Sequence, residues 1–274
     1  MKFLIFSDID GTFTNFKTYS SGSLDKYLKN LNLDYELIFN SSKTYEEIVK
    51  FKKKFKLNFP FIAENGACIF FPQNYLKKNI KIRKFIKYKK HHIFKLTKLR
   101  ANRIVELLSI FKKKYNFKFY NELSNKELQK ITKLTIENVK LSKLRQFSNP
   151  IYWDDSVGKK KKFIKDLTLI YSDFAFLDGG RFIHVLDRYN KGLAVKKFLE
   201  IINMPEQGFK TISLGDSQND IPMLEQTNFA CIIKSKKNVR LLLKNRNLYR
   251  SNATAPDGWQ ESLDYILRKG IKNF

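Results

Sequence analysis

Two carboxylates two positions apart, Asp8 and Asp10, follow a short apolar run and are themselves followed by Gly11 and Thr12. Gly11 permits a sharp turn, so both side chains can face one crevice, where one carboxylate could attack and the other could move a proton. Taken alone, the loop could equally be an Asx-turn that leads into a helix cap. A second acidic loop, Gly215-Asp216-Ser217-Gln218-Asn219-Asp220, also closes a strand-like run, Lys210-Thr211-Ile212-Ser213-Leu214. Asp216 and Asp220, together with Asp8, could supply oxygen ligands to a hard divalent cation such as Mg2+. A third polar loop, Asn40-Ser41-Ser42-Lys43-Thr44, lies between them in the sequence.

The surrounding pattern says what must position these loops. Phe3-Leu4-Ile5-Phe6 reads as a buried parallel strand with a functional loop at its carboxyl end, and Tyr35-Glu36-Leu37-Ile38-Phe39 leads in the same way into the Asn40 loop. Ile48, Val49, Phe51 and Phe55 then recur at helical spacing, with Thr44 and Glu47 as a capping-box pair. Glu64-Asn65-Gly66 is a turn signal before a strand at 68–71. Late in the chain, residues 192–202 read as an amphipathic helix and 210–214 as a strand. Alternating strands and helices imply an α/β fold with a doubly wound, mostly parallel sheet, whose ligand site lies beyond the carboxyl ends of its strands.

The middle of the chain is different. No acidic residue occurs between Lys77 and Arg103. Helical patterns at 100–115 and 125–138, the second capped by Ser124 or Asn125, and strand-like runs at 117–120 and 182–186 suggest an inserted α+β domain. The expected division is a catalytic core of residues 1–80 and 188–274 interrupted by an insertion at 81–187.

Composition narrows the class. With 274 residues, of which 43% are apolar, the chain can bury enough surface to offset its conformational entropy, which excludes a disordered polymer. Cys68 and Cys231 match no metal-ligand spacing and suggest a reducing compartment. The first apolar run is cut short by Ser7 and Asp8, too early for a signal-peptide core, and no stretch approaches the roughly 20 apolar residues of a membrane span, so a cytoplasmic protein with no membrane role is expected. The formal net charge of +27 first suggests a polyanion partner. Lysine is interleaved everywhere with Asn, Ile, Phe and Tyr, however, and no nucleic-acid-binding motif accompanies it. Nucleic acid is therefore the less favoured partner, and a small anionic substrate would feel the same field. Nothing in the sequence sets the oligomeric state.

Taken together and in this order, the three loops resemble the motifs of the haloacid-dehalogenase-like (HAD) phosphatase superfamily. The resemblance implies that Asp8 is the nucleophile and Asp10 the general acid and base. It implies that Ser41 hydrogen-bonds a phosphate oxygen and that Lys191, in Asn190-Lys191-Gly192, neutralises the transferring group. Mg2+ would be held by the Asp8 and Asp216 carboxylates and the Asp10 backbone carbonyl, with Asp220 behind them. Further runs are similar to those of the mannosyl-3-phosphoglycerate phosphatase family: Ser41-Ser42-Lys43-Thr44, Pro60 through Gly66, Arg145-Gln146-Phe147-Ser148 with Pro150, Gly179-Gly180-Arg181-Phe182 with His184, and Ala255-Pro256-Asp257-Gly258-Trp259. That family implies a HAD-like Rossmannoid core with a C2B-type cap, on which Arg145, Ser148, Gly180, Arg181 and His184 lie on the substrate side, with Lys43 near the rim. Guanidinium groups suit a carboxylate or phosphate. The chain departs from the family at Asn149, where an acidic residue is common, and in the lysine-rich stretch from Lys77 to Leu141. The implied substrate is a mannosyl- or glucosyl-3-phosphoglycerate, whose dephosphorylated product is of the compatible-solute kind.

Overall fold

A strand buried on both faces carries no polar alternation, and β1 (Lys2–Ser7) is built this way: Phe3 and Ile5 pack into one layer, Leu4 and Phe6 into the other. The computed structural model describes residues 1–76, 85–178, 181–203, 208–235, 241–244 and 247–270, the side chains of 269 and 270 excepted. After β1 come α1 (Leu24–Asn30), β2 (Tyr35–Asn40), α2 (Tyr45–Lys53), β3 (Phe61–Ala63), β4 (Cys68–Pro72), β5 (Ile86–Tyr88) and β6 (His91–Lys95). The middle of the chain forms α3 (Ala101–Leu108), β7 (Phe117–Phe119), α4 (Asn125–Thr132), α5 (Ile136–Ser142), β8 (Ile151–Trp153), α6 (Val157–Ile170), β9 (Ala175–Asp178) and β10 (Ile183–Leu186). The last part adds α7 (Lys191–Ile202), β11 (Phe209–Gly215), α8 (Ile221–Leu224), β12 (Phe229–Lys234), β13 (Leu248–Thr254) and α9 (Asp257–Gly270).

The large sheet has nine strands in the order β13-β12-β11-β1-β2-β3-β4-β6-β5, parallel from β13 to β3 and antiparallel beyond. On one face Phe13, Phe39 and Trp259 form an aromatic core with α2 and α9, and on the other Ala194, Val195 and Phe198 of α7 cover Leu4, Phe6 and Ile38. A separate four-stranded antiparallel sheet, β7-β8-β10-β9, packs with α3 and α6 around Phe117, Phe163 and Ile183. This is an α/β core with a doubly wound, mostly parallel sheet and a second α+β layer inserted in it. Among the described residues no helix is long and apolar enough to cross a membrane.

Two expectations shift. Strands β5 and β6, which the division at 80/81 placed in the insertion, pair onto the edge of the large sheet through β4. The single helix expected at 125–138 is two, because Lys133 turns left-handed at φ 64 to end α4 and the Thr135 side chain caps α5. The Thr44–Glu47 capping box at α2 forms as expected.

Helix α2 also buries a charge. Lys52 is 4% exposed, lies 4.8 Å from the Phe61 ring, donates to the Phe59 carbonyl and makes no ion pair among the described residues. Burial pushes its pKa down to about 7. An unfolded lysine titrates near ~10.4, so over the interval between the two values the unfolded state binds more protons and stability rises with pH. Lys52→Met is therefore expected to melt a few degrees above the unsubstituted protein at about pH 7, with the gap closing towards about pH 10. Thermal scans across that range check it.

Candidate functional site

The register of the parallel strands brings the three polar loops together. Ser7 pairs with Leu214 on β11 and with Phe39 on β2, so the chain leaves β1 at Asp8 level with Gly215 and Asn40. Trp259 secures this end of β1 from below, its Nε1 donating to Ser7 Oγ at 3.0 Å. Gly11 turns at φ +88, and a Cβ there would stand 2.7 Å from Asp216 Oδ2, so only glycine lets the first loop lie against the last. Thr12 Oγ1 donates to Asp216 Oδ1 at 3.0 Å and ties the two loops together.

Lys191, the first residue of α7, is buried between carboxylates: its Nζ lies 2.8 Å from Asp8 Oδ1 and 2.6 Å from Asp220 Oδ1. Asn40 Nδ2 donates to the Lys191 carbonyl at 3.0 Å and so fixes the start of that helix to the end of β2. The other Asp220 oxygen accepts from the backbone N–H groups of Asp216 at 3.1 Å and Ser217 at 3.0 Å, while the one Ser217 hydroxyl proton goes to the nearer acceptor, Asn219 Oδ1 at 2.6 Å. Asp220 is thus fully engaged in shaping the loop and holding the lysine.

Asp8, Asp216 and Asp220 each place an oxygen within 4.8 Å of the others. One ammonium pairs with two of these three carboxylates, and the third, Asp216, is held by the Thr12 hydroxyl. Burial raises the Asp8 pKa to about 6 against the pull of Lys191, with Asp220 and Asp10 adding repulsion. Asp216 is pushed well above the carboxylate range by burial and by its acidic neighbours Asp220 and Asp8. Burial also works against the Lys191 ammonium, but Asp220 and Asp8 outweigh it and hold its pKa above the ordinary value. The set lacks positive charge, and an oxygen-rich group of this kind fits a hard divalent cation, which would return both raised carboxylates to their ionised forms.

The loops open into a cavity of about 480 Å³ between the large sheet's loops and the inserted layer. Asp8, Asp10, Lys43 and Asp216 line its floor; Arg145, Arg181 and His184 line its far wall. Lys43 Nζ is 2.8 Å from Asp10 Oδ2 and 3.6 Å from Glu47 Oε1, while Asp10 Oδ1 is buried with no hydrogen-bond partner. Arg145 donates to the Ser42 carbonyl at 3.1 Å and to Ser148 Oγ at 2.9 Å, lies over the Tyr120 ring, and makes no ion pair among the described residues. Arg181 donates to the Tyr19 hydroxyl at 3.1 Å and lies 4.4 Å from the Phe16 ring. Among the described residues both guanidinium groups are therefore held by neutral partners, with charge left to meet an anion.

Not every expected residue reaches the cavity. Ser41 does not line it, whereas its neighbour Ser42 does. The Ser148 hydroxyl turns away to Glu64 Oε2 at 2.6 Å, and the same carboxylate accepts the backbone N–H groups of Gln146 and Phe147. Gly180 lies outside the described residues. Conversely, Phe16, Tyr19 and Tyr120 line the cavity without having been singled out from the sequence. Phe16 and Tyr19 carry one sequence signal, two aromatic residues in the otherwise polar run from Thr14 to Ser23, and Tyr120 carries none.

A profile of the haloacid dehalogenase-like hydrolase family matches residues 5–253. The glucosyl-3-phosphoglycerate/mannosyl-3-phosphoglycerate phosphatase of Persephonella marina is 30% identical over 272 residues, 97% of this chain and 97% of that protein. The mannosyl-3-phosphoglycerate phosphatase of Pyrococcus horikoshii is 31% identical over 235 residues, 85% of this chain and 91% of that protein. Among solved structures, a HAD subclass IIB sugar phosphatase superposes with a TM-score of 0.63 at 14% identity, covering 98% of this chain and 99% of its own. The sucrose-phosphatase of a Synechocystis species, solved with sucrose and phosphate, gives 0.58 at 15% identity, covering 97% and 96%. At these identities the two structures speak for the fold.

Proposed function

The chain belongs to the haloacid dehalogenase-like hydrolases, and from that premise we propose that it is a Mg2+-dependent phosphatase acting on mannosyl- or glucosyl-3-phosphoglycerate. The observation that carries the reading is the convergence of Asp8 and Asp216 on the floor of a cavity, with the Lys191 ammonium buried against Asp8, and a far wall offering two arginines that make no ion pair among the described residues. Near-full-length likeness to phosphatases named for these esters supports the substrate. The substrate carries a phosphate for the floor and a carboxylate for the wall. The residues after Lys95, up to the start of α7, would form a cap of the C2B type over the cavity, a later boundary than the sequence suggested, and the reaction would run in the cytoplasm.

In this reading Asp8 Oδ attacks phosphorus in line with the ester oxygen, forming an aspartyl-phosphate and splitting one slow displacement into two. Uncatalysed phosphate-monoester hydrolysis is slow enough that the site must lower the barrier by on the order of 20 kcal/mol, so several groups have to act together. Asp10 gives a proton to the departing oxygen and takes one from the water that follows. Lys191 holds Asp8 in its attacking rotamer, and Ser42 and Lys43 face the phosphoryl oxygens from the second loop, Ser42 in the place expected for Ser41. Arg145 and Arg181 take the carboxylate. Asp8, Asp216 and the Asp10 carbonyl would hold Mg2+, with Asp220 behind, and the cation supplies charge neutralisation at the transferring group.

Phosphate release from mannosyl- and glucosyl-3-phosphoglycerate and from simple sugar phosphates, with Mg2+ and with a chelator, tests the proposal. The expected result is at least about a tenfold preference in kcat/KM for a glycosyl-3-phosphoglycerate, lost on chelation. A preference for simple sugar phosphates would keep the hydrolase and overturn the substrate.

A further inference from the structure

The turn Glu64-Asn65-Gly66 connects the core loops to the inserted layer through more than the Glu64 carboxylate. Asn65 sits at φ 63 and ψ 29, a left-handed conformation that asparagine tolerates better than most residues. Gly66 follows at φ +100, and a Cβ there would stand 2.3 Å from the Asn190 carbonyl oxygen, so the turn is pressed against the chain just before Lys191. From this place the Asn65 side chain reaches two ways. Its Oδ1 accepts from Asn219 Nδ2 at 3.2 Å, in the acidic loop, and its Nδ2 stands 3.3 Å from His184 Nδ1, on β10 of the inserted sheet.

The far end sets the polarity of this relay. Asn219 Oδ1 lies 2.6 Å from the Ser217 hydroxyl and accepts from it, which leaves the Asn219 N–H for Asn65 Oδ1. Asn65 then has only N–H to offer His184, so Nδ1 must be an acceptor. A neutral imidazole whose Nδ1 accepts carries its proton on Nε2. Burial, reinforced by Arg145 and Lys191, holds the His184 pKa down at about 3, so the ring stays neutral in any ordinary buffer. His184 lines the cavity, and its Nε2 has no hydrogen-bond partner among the described residues. The cavity's cations, Lys43, Arg145 and Arg181, suit the anionic groups of a substrate. A neutral N–H beside them suits an uncharged hydroxyl.

We propose that Asn65 is a positioning residue that holds His184 as its Nε2–H tautomer, and that this N–H donates to a sugar hydroxyl of the substrate. The second half rests on the glycosyl-phosphoglycerate reading; the first does not.

Full-length protein labelled with 15N-histidine tests both halves. Its three histidines, His91, His92 and His184, make assignment simple, since His184→Gln removes one set of ring resonances. The expected spectrum shows His184 neutral and protonated at Nε2. In Asn65→Asp the carboxylate can only accept, so the proton moves to Nδ1. The ratio of KM for the glycosyl ester to KM for p-nitrophenyl phosphate, which lacks hydroxyls on its leaving group, then rises about five- to tenfold, the worth of one neutral hydrogen bond. His184→Gln, which keeps an N–H near Nε2, should hold that ratio better than His184→Leu. An Nδ1–H ring in the unsubstituted protein overturns the proposal whatever the substrate. A ratio that stays fixed while the tautomer moves, or equal ratios in the Gln and Leu variants, overturns the donor role. If Asn65→Asp does not fold, the unsubstituted spectrum and the His184 pair decide. Failure on every glycosyl-phosphoglycerate would fall on the substrate reading and the donor role, with the tautomer still read directly.

Discussion

Asp8→Asn is expected to lower phosphate release by on the order of 10⁴-fold or more, because the nucleophile and a metal-facing carboxylate are lost together. The fold should survive. Asparagine keeps the shape of the side chain, and Lys191 retains Asp220 at 2.6 Å as its ion partner. Stability in chelator should even rise. The Asp8 carboxyl is buried beside Asp216 and Asp220 and its pKa is raised to about 6. A raised acid favours the protonated folded state, so the unsubstituted protein loses stability as pH climbs from the unfolded value of ~3.9 through about 6, and the cost is present in full at neutral pH. Asparagine removes that term. Adding Mg2+ reverses the order, since a ligand of the folded state stabilises it by mass action and the substituted site binds it less well. Melting curves of both proteins in chelator and in Mg2+ check the crossing, and an Asp8→Asn protein that keeps substantial activity contradicts the assignment of the nucleophile.

Lys191→Met should damage both folding and activity. Lys191 is 1% exposed, and its ammonium alone bridges Asp8 and Asp220, which are themselves almost wholly buried. Breaking a buried ion pair by removing one partner costs roughly 3–5 kcal/mol, because the remaining charge is left uncompensated. For a chain of this size that corresponds to a drop in melting temperature on the order of 10 °C. Activity should vanish even where the protein is folded, since the attacking carboxylate loses the group that holds and ionises it. Mg2+ should recover part of the stability and none of the rate. A melting temperature within a degree of the unsubstituted protein would contradict the role of Lys191 as the charge that holds Asp8 and Asp220.

The parts of this structure legible in the sequence are those where burial leaves a mark on local pattern. β1 and β2 carry short apolar runs, Phe3–Phe6 and Leu37–Phe39, because both their faces are covered, and β11 alternates apolar residues with the small buried Thr211 and Ser213; each ends in a polar loop that the site uses. The Thr44–Glu47 box is local by nature and was readable as such. Elsewhere the deciding contact is distant. Leu134 continues the helical period of α4 into α5 and is itself buried, so nothing but the left-handed Lys133 and the Thr135 cap marks the break. Strands β5 and β6 look like any short hairpin, and which sheet they extend is settled by pairing with β4. His184 and Asn65 are 119 residues apart, a separation no spacing rule connects. The Ser41–Ser42 pair shows a finer limit: the loop was visible, but which hydroxyl faces the cavity depends on the backbone leaving β2.

The central claim is that phosphoryl transfer passes through Asp8. The most direct test is to mix the protein with Mg2+ and its preferred glycosyl-3-phosphoglycerate, quench in acid within a turnover, and map any phosphorylated peptide by mass spectrometry. The expected result is a phosphoryl group on the Asp8 side chain, convertible to homoserine by borohydride and missing from Asp8→Asn. A phosphoryl group on Asp10, or full turnover with no covalent phosphoryl-enzyme at any quench time, would contradict it.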